Sequence, residues 1–497
     1  MSIRSYFLLI YILPLHIYTY DYDLIIVGTG ASGTIAAQTA ARYNVRIATI
    51  ESEKTPKKRV LYSDIPLKAL IRVAQASQSV EKMHELGIDI DISTKHISNI
   101  FSYIEKVVEN ASQIYSTKYL PDRQVEQLIG QAHFIDEHTV EINGQHITSN
   151  KFIIATGGEP YVPEFTGIEK IPYLTENNFF QLKELPKSII IVGEGPLGIE
   201  MATTLHRLGV EVTVVTKHGL VLPKYDFELI EMQHQLMKME GIKIYYNARI
   251  KEVDYINNKI TARCKNNLSE EFTLNADRIL IALNRNGRIK TLNLEHIGVV
   301  THRDGIEVNN TMQTSIGNIY ACGDVVGQMY TLNRVGYYQA QIAAHNACKP
   351  FWKKNIVTDY SNVSSHIYAS RPLGAIGLTE QESRKKFGNN LHIYRYSYAS
   401  FARPQIDNTT DGVAKFICDS SGNLLGVHVL GESADEIIDS VHIGKNFADQ
   451  FEDYLFELRT SPNYLDLVWE ASKQTELDSN RNIFSAILRY IKRVIPI

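Results

Sequence analysis

Two copies of one short pattern constrain this 497-residue chain more than any other feature. Gly28-Thr29-Gly30-Ala31-Ser32-Gly33 follows the apolar run Leu24-Ile25-Ile26-Val27, and Gly193-Glu194-Gly195-Pro196-Leu197-Gly198 follows Ile189-Ile190-Ile191-Val192. Each copy reads as a buried strand (23–27, then 188–192), a tight glycine turn, a helix (34–43, then 199–208) and a second strand (45–50, then 210–215). That is a βαβ unit, whose right-handed crossover lays a helix over a parallel sheet. Two such units predict an α/β protein with two doubly wound, Rossmann-like nucleotide-binding domains.

The remaining segments complete a three-domain plan, the number that this length allows. Helical stretches at 67–86 and 100–115 and strands near 132–134, 139–142 and 151–155 read as the rest of the first domain. A helix at 332–349 is followed, from about 363, by strands such as 412–419 and 424–430, the texture of a third, α+β domain. The predicted organisation is an apolar extension (1–20), a first nucleotide domain (21–157, resumed at 281–350), a second (158–280), an α+β domain (360–475) and an amphipathic basic tail (476–497).

Composition narrows the partners. Hydrophobic residues at 44% and charged residues at 21% place the chain among ordinary globular proteins. Lys and Arg total 51 against 55 Asp and Glu, a formal charge of -4, which argues against a nucleic-acid partner. Cys264, Cys322, Cys348 and Cys418 are far apart and form no CxxC, so they read as reduced structural thiols of a cytoplasmic protein, and no metal site is expected. Residues 7–15 have the apolar outline of a signal-peptide core but are too short to span a bilayer. No small-residue cleavage pattern or twin arginine accompanies them, so they read as an uncleaved extension, with export or membrane association left open. In the tail, Ile483, Phe484, Ile487, Leu488 and Ile491 alternate with Arg489, Lys492 and Arg493, a pattern for packing on its own dimer or for lying on a membrane surface.

The chemistry sits at the glycine turns. Gly28 makes the turn, Gly30 lets a pyrophosphate approach the backbone, and Gly33 lets the helix pack on the strand. The helix N-terminus adds free N–H groups and the positive end of its dipole. Glu51, at the end of the second strand, is placed to accept hydrogen bonds from ribose hydroxyls. Gly193, Gly195 and Gly198 repeat the arrangement, with Glu200 two residues on, but here the second strand ends in Thr216-Lys217-His218. Without a strand-end acid a 2′-phosphate meets no repulsion, and Lys217, with His218, could attract one; solvated strand-end residues are the alternative. One site thus reads as accepting NADPH as well as NADH.

Ile153-Ile154-Ala155-Thr156-Gly157-Gly158-Glu159-Pro160 resembles the segment that joins the nucleotide domains of two-dinucleotide flavoproteins. Ile319-Tyr320-Ala321-Cys322-Gly323-Asp324-Val325 resembles their distal FAD motif. Over 21–471 the chain is therefore similar to the pyridine nucleotide-disulfide oxidoreductases. The resemblance implies FAD as cofactor, held by the first turn, by Thr156 and Gly157, and by Gly323 and Asp324, with Asp324 on the ribityl chain. It also implies NAD(P)H as substrate, Lys68 near the flavin N5 and paired with Glu200, and a homodimer formed through the C-terminal domain.

Two departures shape the expected activity. Where disulfide reductases of the family carry CxxxxC ahead of I-P-S-K-A-L, this chain has Arg59 and Asp64 before Ile65-Pro66-Leu67-Lys68-Ala69-Leu70, and Lys57-Lys58-Arg59 stands in place of a glycine-rich run. Their H-x-H-P segment reads Arg459-Thr460-Ser461-Pro462, followed by Asp466. Asn284-Arg285-Asn286-Gly287, 401–406 and 431–438 are similar to the soluble transhydrogenase branch. The expectation is hydride transfer from NAD(P)H through FAD to another pyridine nucleotide without a redox disulfide. A dihydrolipoamide dehydrogenase-like or mercuric reductase-like paralogue with lost or altered activity, and an NAD(P)H diaphorase, remain the alternatives.

Overall fold

The computed structural model describes residues 20–52, 64–89, 99–114, 125–223, 225–327, 333–444 and 461–480. Residues 1–19, Arg59, the Arg459-Thr460 pair and residues 481–497 of the basic tail lie outside the described residues. By their contacts the described residues form two compact units, one drawn from 1–54, 117–158 and 287–358, the other from 55–116, 159–286 and 359–497.

In the first unit, β1 (Tyr22–Val27), α1 (Ala31–Ala40) and β2 (Ile47–Glu51) form the first βαβ unit. β1 pairs in parallel with β2 on one side and with Gln145–Ile154 on the other; Val125–Ile129 extends the sheet past β2, and Ile319–Ala321 pairs beyond Gln145–Ile154. Leu24 to Val27 are at most 3% exposed, the mark of a central strand covered on both faces. The helix begins at Ala31, ahead of the predicted start at 34, because the last residues of the glycine turn already adopt helical backbone.

In the second unit the same grammar gives β3 (Ser188–Val192), α2 (Pro196–Arg207) and β4 (Glu211–Val215), with Lys243–Tyr245 and Arg278–Ile281 completing a four-stranded parallel sheet. Pro196 sits where the helix starts, a position where its missing N–H costs nothing. The helices Ile65–Glu81 and Ile100–Ile114, read in sequence as the rest of the first domain, share a core with this sheet: Leu70 and Ile104 belong to one cluster with Ile189, Ile199 and Val212. Their apolar faces find partners there that no local pattern in the sequence reveals.

The same unit contains a five-stranded antiparallel sheet, ordered Ser365–Tyr368, Pro372–Gly377, Leu424–Leu430, Val413–Asp419, Leu391–Ser397, with helices Ala434–Gly444 and Asp466–Asn480 contributing to its core. Lys415 on this sheet is 1% exposed, and its ammonium donates to Asp226, Glu228 and Glu380 at 2.8, 2.9 and 2.6 Å. A buried cation requires such partners. Because Asp226 also caps helix Phe227–Glu240 and Glu380 opens helix Glu380–Phe387, one lysine ties three elements together.

Candidate functional site

The first glycine turn is shaped from two sides. Gly28 has φ +99°, and a Cβ on it would lie 2.5 Å from the carbonyl oxygen of Ala155; a Cβ on Gly33 would lie 1.9 Å from the carbonyl oxygen of Gly28. Both positions exclude any side chain. Around Gly30 a Cβ would meet nothing within 4 Å, so its lack of a side chain is not demanded by the protein's own packing. Gly30 caps α1 without a side-chain hydrogen bond, leaving backbone N–H groups at the helix start for an anion.

Two further segments converge on this turn. Ala155-Thr156-Gly157 follows the strand beside β1; Thr156 donates its hydroxyl to the Arg288 carbonyl at 2.8 Å, and Gly157 has φ +71°. Gly323 has φ +78°, and a Cβ there would lie 2.5 Å from Ser32 Oγ, which brings the Gly323-Asp324 corner against the start of α1; Asp324 itself is half-buried. Glu51 faces the turn, its Oε2 accepting from the Thr29 N–H at 3.1 Å and the Thr29 hydroxyl at 2.5 Å. The open glycine, uncapped helix start and strand-end acid fit the pyrophosphate and ribose of a dinucleotide.

The second turn repeats this economy. A Cβ on Gly193 (φ +145°) would lie 2.1 Å from the Ala282 carbonyl oxygen, one on Gly198 would lie 2.5 Å from that of Gly193, and one on Gly195 would meet nothing within 4 Å. Gly195 likewise caps α2 with no side-chain bond. Lys217 is exposed and joins no ion pair among the described residues. The sequence shows no acid at the end of β4, yet the structure brings one there from the turn: Glu194 Oε1 lies 2.6 Å from His218 Nδ1.

Within this unit Glu200, on α2, is 5% exposed and accepts from the Lys68 ammonium at 2.9 Å and the Tyr368 N–H at 3.0 Å. Burial pushes the Glu200 carboxyl above its ordinary value, and Lys68 opposes that rise. The Lys68 ammonium also lies 4.5 Å from the centre of the Tyr368 ring, a cation–π contact, while the Tyr368 hydroxyl donates to Asp435 at 2.7 Å. The sequence does not single out Tyr368, about 300 residues from Lys68, and Asp435 appears there only inside the 431–438 segment with no role assigned.

All four cysteines are free. Burial pushes the thiols of Cys322, Cys348 and Cys418 up to about 12 and that of Cys264 up to about 11, which keeps them protonated and unreactive. Ser461 donates its hydroxyl to Asp466 at 3.2 Å, and the N–H of Asn463 donates to the same oxygen. Asp64 stands at the start of helix Ile65–Glu81.

Two parallel-sheet folds, each with an open glycine at a helix start, have the architecture of a protein that binds two dinucleotides. Residues 22–347 match the pyridine nucleotide-disulphide oxidoreductase family and residues 363–471 match its dimerisation domain, so the chain belongs to that family, whose members are FAD-dependent and use NAD(P)H. It is 28% identical to mercuric reductase of Staphylococcus aureus over 87% of this chain and 78% of that one, and 28% identical to glutathione reductase of Nostoc sp. over 88% and 96%. A dihydrolipoyl dehydrogenase of Bacillus subtilis is 27% identical over 86% and 92%. Among solved structures, the HOCl-induced flavoprotein disulfide reductase RclA from Escherichia coli shares the fold at a TM-score of 0.79, with 24% identity over 91% of this chain and 99% of that one.

Proposed function

We propose that the chain takes hydride from NAD(P)H and passes it, by way of FAD, to a second pyridine nucleotide and not to a disulfide. The observation that carries this reading is chemical: the four thiols are buried or half-buried, and Ser461, where the family's histidine would stand, is an alcohol bonded to Asp466. A disulfide acceptor needs a thiolate relay and a proton acceptor, whereas hydride exchange between two nicotinamides needs neither. Losing both then removes nothing from the reaction.

The first turn, Glu51, Thr156, Gly157, Gly323 and Asp324 would hold FAD, which when bound supplies a carrier of two electrons and a proton. Gly193, Gly195, Gly198 and Lys217 would hold the nicotinamide nucleotide, donor and acceptor using the site in turn. Lys68 contributes positive charge, and Glu200 positions it. We further propose a homodimer built through 360–475 and a cytoplasmic location; no helix of the described residues is long and apolar enough to cross a membrane.

Two experiments test this. Purified protein should be yellow, and NADH or NADPH should bleach its flavin bands without the long-wavelength thiolate–flavin band; a colourless protein that cannot be reconstituted with FAD would sink the reading. The turns can be probed by contrast. Gly33→Ala forces a Cβ to within 1.9 Å of a backbone oxygen and should cost about 1–3 kcal/mol or more, whereas Gly30→Ala enters open space and should keep the melting temperature of the flavin-free protein while losing bound flavin. Equal melting temperatures and equal flavin content in the two variants would contradict the assignment.

A further inference from the structure

The two βαβ units can be aligned by their own strand registers. Val27 pairs with Ile50 and Val192 with Val215, so Gly28 and Gly193 are equivalent, as are Glu51 and Thr216 at the strand ends and Thr29 and Glu194 inside the turns. In the first unit a turn hydroxyl donates to a strand-end carboxylate. In the second the two groups have exchanged sides: the carboxylate, Glu194, is in the turn and the hydroxyl, Thr216, ends the strand.

Thr216 then shapes the segment after β4. Its buried Oγ1 accepts the His218 N–H and donates to the His218 carbonyl, both at 3.1 Å, folding the chain back on itself. The Glu194 carbonyl accepts the Leu222 N–H at 2.8 Å, which straps the same segment to the turn. The His218 ring, 52% exposed, is thereby held with Nδ1 2.6 Å from Glu194 Oε1, while the Glu194 side chain is only 17% exposed. Glu194 Oε2 makes no hydrogen bond among the described residues.

We propose that Glu194 and His218 together set which nicotinamide nucleotide the second fold admits, an inference that rests on the reading of that fold as the nicotinamide site. A carboxylate beside this turn accepts a hydrogen bond from a ribose 2′-hydroxyl and repels a 2′-phosphate, which carries a charge of about -1.5 to -2. As an imidazolium, His218 donates Nδ1–H to the Glu194 carboxylate and Nε2–H to a phosphate oxygen, so that NADPH is admitted beside NADH. Glu194 favours NADH; His218 moderates that preference. The acid that the end of β4 lacks is supplied from inside the turn.

The two side chains should therefore push selectivity in opposite directions. In the flavin-loaded full-length protein, Glu194→Thr, the residue found at the equivalent place in the first turn, should raise NADPH affinity relative to NADH by about tenfold, and His218→Ala should lower it by about tenfold. Titration with ADP-ribose and 2′-phospho-ADP-ribose should give the same two shifts, and these probes carry no nicotinamide, so the result is independent of the hydride acceptor. A merely structural strap predicts that both variants weaken both nucleotides alike; that outcome, or a ratio unmoved by Glu194→Thr while binding persists, overturns the proposal alone. Failure of both probes to bind the unmodified protein overturns the nicotinamide site itself, and the proposal with it; failure of the phosphorylated probe alone overturns the proposal and leaves the site. Absence of hydride exchange with both shifts intact overturns only the choice of acceptor.

Discussion

Replacing Lys68 with methionine should slow flavin reduction by NADH on the order of 100-fold and give the protein a pH-dependent loss of stability. Glu200 is buried and its carboxyl already lies above its ordinary value of 4.5, burial being the chief cause and the Lys68 ammonium the chief opposing one. Removing the ammonium raises that carboxyl further. A folded pKa above the unfolded one favours the native state when the group is protonated, so this contribution is fully present below pH 4.5 and is lost as pH rises through the folded value. Lys68→Met should thus be most destabilised near pH 8 and approach the parent protein near pH 5.

Breaking a buried pair costs about 3–5 kcal/mol, but the Lys68 side chain is 42% exposed, so solvent screening reduces the expected loss to about 1–3 kcal/mol at neutral pH. Adding Glu200→Gln should recover most of the stability by removing the stranded charge, but not the rate of flavin reduction. A melting-temperature loss of equal size at pH 5 and 8 would show that Lys68 acts through its cation–π contact with Tyr368, and an unchanged rate would remove its proposed role toward the flavin.

Legibility in the sequence tracks physical range. Strands 188–192, 132–134, 139–142 and 424–430 are read to the residue because apolar runs between turn signals depend on neighbours in the chain. Of the glycines, the packing demand at Gly33 comes from the turn itself, whose Gly28 carbonyl a Cβ would strike, whereas the carbonyl that crowds Gly28 belongs to Ala155 in a distant segment. The Lys68–Glu200 pair joins positions 132 residues apart and is reached only through family resemblance. Glu194 escapes a search of the strand end for an acid, because nothing local shows that the segment after β4 folds back to meet the turn. Tyr368 and Asp435 escape for the same reason: their contacts are made by tertiary folding, which a periodicity cannot report.

The unmodified chain should reduce neither lipoamide, glutathione disulfide nor mercuric ion at a measurable rate, while exchanging hydride from NADPH to an NAD analogue. Two absences lead independently to this expectation. In the proposed reading Arg59 and Asp64 take the places of a cysteine pair, and neither side chain can exchange with a disulfide or donate a thiolate to flavin. Ser461 bonds Asp466 and, in the same reading, takes the place of an acid–base histidine; a hydroxyl cannot take up the proton of a dithiol near neutral pH. The remaining thiols offer no substitute, since burial holds Cys322, Cys348 and Cys418 near 12. Restoring Arg59→Cys with Asp64→Cys should therefore leave disulfide reduction undetectable, and activity should emerge only when Ser461→His is added. The double variant should nonetheless show a new long-wavelength flavin band if its second thiolate reaches the flavin, so spectrum and turnover report the two halves of the machinery separately. Robust lipoamide turnover by the unmodified chain would overturn the assignment, because a buried or half-buried thiol would then have to be passing electrons to the flavin.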